Sequence, residues 1–145
     1  MSFAPQLQRR ERIVARRLSN AIPDPRTADR KQDGSYVILL TDEADYFLND
    51  VIDRTRETWE LTNPTTTIGV STPVLLQSCK IWLRWIAEGW TPAAVLTEIS
   101  RSQRDSVRYD YASMLFLCML EALASHAVMI FPQWPPDPES IPDGY

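Results

Sequence analysis

From Ala112 to Phe131 the chain is apolar at most positions, charged only at Glu121, and free of Gly and Pro. A helix apolar on nearly every side needs cover from its own domain, from a partner chain or from lipid. Twenty residues reach the length of a bilayer span. Glu121 lies near the middle, however, with Ser113, Ser125 and His126 close by, and no cluster of Lys or Arg flanks the stretch. A central carboxylate is expensive in lipid, so the pattern predicts a core helix and no membrane partner. That helix is expected to begin between Ser102 and Ser106 and to run to about Ile130, where Pro132 forbids extension. Glu121, unusual in this setting, is expected to take a hydrogen-bond partner from another helix.

Other segments show cleaner periodicity. Ala44, Phe47, Leu48, Val51, Ile52, Thr55 and Trp59 follow the i, i+3, i+4, i+7 rule and predict an amphipathic helix over 42–61. Thr41 or Asp42 can cap it, and Asp42, Glu43 and Asp45 suit its positive end. Leu7, Val14, Leu18 and Ala21, with Ile13 beside them, predict a helix over 5–21 that Pro23 and Pro25 end. Thr72-Pro73 and Thr91-Pro92 read as N-cap and N1 pairs. The first opens a helix to about Glu88 with Gly89 as its C′ residue; the second opens a short helix ending near Ser100. Asp33-Gly34 marks a turn. Residues 36–40 and 65–70 look like two short strands that pair as a ribbon. The tail, 132–145, holds five prolines and is expected to be extended, with Trp134, Ile141 and Tyr145 as anchors on a surface. The expected fold is mainly α: about five helices in an irregular or orthogonal bundle, with a minor two-stranded element and an extended Pro-rich tail. Residues 1–131 form the single helical domain, of which 1–31 are a basic helix and linker.

Composition alters this picture only through charge. Hydrophobic residues at 44% and charged residues at 23% are ordinary for a soluble globule. Residues 1–31 carry eight basic side chains against Glu11, Asp24 and Asp29, a surplus of five; a net charge of −4 leaves −9 on the remainder. A basic arm on an acidic body can grip phosphate or pair with a carboxylate surface. The candidate contacts are Arg9, Arg10, Arg12, Arg16 and Arg17.

Chemistry adds little. His126 is the sole histidine and stands in the apolar helix, where a packed core residue is expected. The sequence has no Cys-x-x-Cys, His-x-x-x-His, Glu-x-x-His or Gly-rich phosphate loop. No catalytic residue, metal or cofactor is therefore expected, and no enzyme. Cys79 and Cys118 read as free buried thiols. The first ten residues lack the apolar core of a secretory signal, which together points to a cytoplasmic protein or a particle assembled there. Asp50, Asp53 and Glu57 share one helix face opposite an apolar stripe and are expected to be solvated. Trp82, Trp85 and Trp90, near Lys80 and Arg84, read as core or subunit seam rather than as a base-stacking platform.

The stretch Ala87 to Ser100, followed by Ser106-Val-Arg-Tyr109, resembles the scaffold, turn and recognition helices of helix-turn-helix domains. Gly89, the capping Thr91, and Val95, Leu96, Ile99 and Val107 carry the likeness. It implies that Arg101, Gln103, Arg104 and Arg108 meet phosphates or base edges. The recognition helix then runs straight into the apolar 112–131 segment, a departure from that pattern. The favoured expectation is a non-enzymatic structural or interaction subunit of a larger assembly, for example a phage-particle neck or tail component. Its partners are protein subunits, its own copies or others. The alternative is a nucleic-acid-binding helical module, a helix-turn-helix regulator or a small subunit of a nucleoprotein effector.

Overall fold

The computed structural model describes residues 9–24, 29–30, 36–37, 40–63, 72–103 and 105–133. Among them lie five helices: α1 (Arg9–Ala21), α2 (Asp42–Thr62), α3 (Thr72–Ala87), α4 (Pro92–Ser102) and α5 (Ser106–Ile130). The protein is mainly helical, as its periodicity predicts.

Local chemistry fixes most helix ends. Thr41 caps α2, its hydroxyl accepting from the Ala44 N–H at 3.2 Å. Thr91 does the same for α4 at Ala94, with Pro92 in the first turn. Asp105 caps α5: one carboxylate oxygen accepts from the N–H groups of Val107 (2.8 Å) and Arg108 (3.2 Å). At the end of α3, Trp90 N–H donates to Trp85 C=O and Gly89 N–H to Ile86 C=O, at 2.9 and 3.0 Å. That pair of bonds is a Schellman motif, and Gly89 takes the left-handed conformation it requires, with φ +103°. Trp85 and Trp90 stack across it, their centroids 4.4 Å apart, as the apolar contact that closes such a motif. Nothing stands within 4 Å of a Cβ built at Gly89, so Gly89→Ala carries only backbone strain. It is expected to lower stability by about 1–2 kcal/mol, read from urea unfolding.

Packing pairs α1 chiefly with α3 and α2 with α5, while α1 also lies against α5. One apolar cluster draws on every helix, from Val14 and Leu18 of α1 through Phe47, Leu83 and Val95 to Phe116, Met119 and Leu123 of α5. Of the stripe read for α2, six residues are buried and Ile52 is half-buried. Trp82 is buried and meets Phe116 edge-on at 5.5 Å. Lys80 of α3 reaches the carboxyl end of α1, donating to the carbonyl of Ser19 at 2.8 Å and to that of Ile22. A cation there satisfies carbonyls the helix leaves open and meets its negative pole. Burial pulls the Lys80 ammonium below its ordinary value, and Arg84 adds to the effect.

Several expectations fall outside the described residues. Residues 5–8, 65–70 and 134–145 lie outside them, the last with the expected anchors Trp134, Ile141 and Tyr145. The ribbon expected of 36–40 with 65–70 therefore lies largely outside the described residues; among these, Tyr36–Val37 bridges antiparallel to Asp29–Arg30, two residues on each side.

Candidate functional site

The arginines of α1 divide by their partners. Arg10 donates to the carbonyl of Phe131, the C-cap of α5, and Arg16 to that of Ala87 at the end of α3, each at 3.5 Å. Arg17 is bound to Glu43 of α2. These three therefore tie α1 to the ends of α5, α3 and α2. Arg9 and Arg12 are exposed and, with Arg16, line a shallow groove beside Ala87. Arg84 of α3 joins Arg16 in the adjoining hollow, which Glu88 also lines. Arg84 was not among the sequence candidates; its place four residues after Lys80, on the α1-facing side of α3, is the only signal for it.

The remaining basic candidates lie elsewhere. Arg101 is exposed and paired with Glu98 at 2.8 Å. Arg108 is exposed at the junction of α3, α4 and α5, and Arg104 lies outside the described residues. Arg101 and Arg108 line none of the grooves that hold the arginines of α1, and among the described residues no ion pair joins them. The would-be recognition helix is the opening of a helix of 25 residues whose middle is core.

His126 is 5% exposed and lies between α2 and α5. Its Nε2 is 3.3 Å from one Glu43 oxygen, while Arg17 holds the other, so the network joins α1, α2 and α5. Tyr46 and Phe47 flank the imidazole at 6.4 and 6.0 Å. A carboxylate orienting a histidine is half of a nucleophile-activating arrangement. The nearest hydroxyl in sequence, Ser125, donates instead to the Glu121 carbonyl and accepts from Arg54. Among the described residues no group of three or more His, Cys, Asp or Glu side chains is placed to hold a metal ion. The acidic face of α2 borders a groove of about 580 Å³ shared with α5, where Asp50 is bonded to Arg54 at 3.0 Å.

Both cysteines are buried and reduced. Burial pushes the Cys79 thiol up to about 12. A thiol whose folded value exceeds its unfolded value of 9.0 stabilises the fold fully below pH 9. That contribution is lost as pH rises toward 12, because the unfolded chain releases the proton first. We expect neither Cys79 nor Cys118 to react with a thiol reagent at pH 8 in the native protein, and both to react in denaturant. Rapid native labelling of Cys79 contradicts the packing of α3.

The outer face of α5 is the least expected feature. Val107–Ile130 is long and apolar enough to cross a membrane, yet half of its most apolar window is buried against the other helices. Part of the remainder is open. Leu117 is 47% exposed, Val128 47% and Met129 56%. Glu121, at 68% side-chain exposure, is no buried carboxylate; its partner is Arg54 of α2 at 3.7 Å. No family model, no curated protein and no solved structure matches this chain.

Proposed function

We propose that the chain is a non-enzymatic assembly subunit that associates with its own copies through the outer face of α5. The observation carrying this reading is the exposed series Leu117, Glu121, Ala124 and Val128, spaced by four, three and four residues along one helix face. That spacing reads identically in both directions. An antiparallel α5 pair about a two-fold axis sets Leu117 against Val128 of the second copy, and Glu121 opposite Ala124. A two-fold interface has to be self-complementary in this way. Leu117 and Val128 stand about 16 Å apart along the helix, and the small Ala124 lets two helices approach closely. The Glu121–Arg54 pair at the centre suits a protein seam with polar groups beside an apolar core better than it suits lipid.

The test is methyl NMR with a soluble paramagnetic agent. The methyl signals of Leu117, Val128 and Met129 broaden in dilute protein and are shielded at high concentration. Broadening at every concentration excludes this face as the seam.

A second reading rests on a separate observation, the gathering of Arg9, Arg12, Arg16 and Arg84 along the α1–α3 groove. Such a track suits a phosphate backbone. Binding through it falls steeply with salt and is lost in Arg9→Glu with Arg12→Glu, neither of which has a partner inside the described fold. Equal affinity at low and high salt argues against it.

A further inference from the structure

The junction of α3, α4 and α5 encloses a cleft of about 680 Å³, inside the span of roughly 300–1,000 Å³ common to small-molecule sites. Its origin is architectural. α3 leans chiefly on α1 and α5 chiefly on α2, so these two touch each other little, and α4 touches each only lightly. Side chains that closer packing would cover are left half-buried: Ile81 and Trp85 of α3, Tyr111 and Ala112 of α5. Trp82 contributes to the floor. Trp85 is held from behind by its stack on Trp90, and Trp82 by its edge contact with Phe116, so both indoles are fixed before any ligand arrives. Rigid aromatic walls cost little ordering on binding.

The polar groups are few. Among the described residues Arg108 is the one cation lining the cleft, and its guanidinium has no partner there. Glu98, the one acid among the described lining residues, is already held by Arg101 at 2.8 Å, which offsets its charge. Ser78 and Gln103 add neutral hydrogen-bonding groups. Burial raises the Tyr111 hydroxyl above its ordinary value, so it stays protonated and able to donate.

We propose that this cleft is a binding site for a small aromatic carboxylate, its ring between Trp82, Trp85 and Ile81 and its carboxylate on Arg108. The geometry requires a flat apolar body and one anionic end; a dianion would meet Glu98. The site lies apart from the outer face of α5, so it stands or falls independently of the assembly reading.

The test is titration of the full chain with 2-naphthoate and with its neutral analogue 2-naphthamide, read from the indole N–H signals of Trp82 and Trp85. Naphthoate is expected to give saturable shifts at both, with a dissociation constant of about 1 mM or below, as fragments of this size reach. It should bind more tightly than the amide. Arg108→Gln should weaken naphthoate roughly tenfold by removing a charge-assisted pair, and leave naphthamide unchanged. Ser78→Phe, which fills the cleft, should abolish both. Absence of saturable shifts into the millimolar range overturns the proposal. So do shifts centred outside the cleft, or equal binding of acid and amide that ignores Arg108.

Discussion

Phe116→Ala is expected to remove about 3–5 kcal/mol of stability, a large share of the whole. Phe116 is fully buried at the middle of α5, edge-on to Trp82 and surrounded by the cluster that every helix shares. Truncating such a ring removes its transfer free energy and leaves a cavity, about 3–5 kcal/mol together. A domain of this size has only about 5–15 kcal/mol in total. The neighbouring substitution is the control. Leu117→Ala, one residue on and facing outward, should change monomer stability by no more than about 0.5 kcal/mol. Urea unfolding of the two variants at low protein concentration reads the difference directly. Equal costs at 116 and 117 would mean that α5 does not present one face inward and the other outward.

The second large effect concerns association rather than folding. Leu117→Glu combined with Val128→Glu is expected to make the protein monomeric while leaving its melting temperature within a few degrees of the parent. Each apolar side chain withdrawn from a seam forfeits about 1.5–3 kcal/mol. Two of them, replaced by carboxylates facing their symmetry mates, lower affinity by more than about a hundredfold. Arg9→Glu with Arg12→Glu, on the α1–α3 side, should leave the mass unaltered. A double Glu variant that keeps the parent mass removes α5 from the interface.

Helix ends were legible in the sequence because caps are local. Thr41, Thr91, Pro92 and Gly89 each act within a few residues of themselves, so their roles can be read without knowing the fold. The inward stripe of α2 was legible for the same reason, since polar residues mark its other side. α5 was not, because a helix apolar all round does not say which half its own chain will cover; the packing of the other helices, chiefly α2 and α1, decides that. Charge behaved similarly. Counting showed a basic arm, yet Arg10, Arg16 and Arg17 meet partners 26 to 121 residues away. Lys80, read as a neighbour of tryptophans, caps a helix 58 to 61 residues upstream. Such contacts exist only once α1, α3 and α5 have come together. Trp82, Trp85 and Trp90 split for the same cause: one joins the core, and two close the turn at the end of α3.

Self-association through an apolar helix face is read from solution mass, by light scattering after size exclusion. The protein should be nuclease-treated and run over a range of concentrations in low and high salt. A mass rising above the 16.6 kDa of one chain toward a dimer is expected as concentration increases. That mass should be unaffected by nuclease and undiminished by salt, since apolar contacts are not screened. A 16.6 kDa species at every concentration and salt would contradict it.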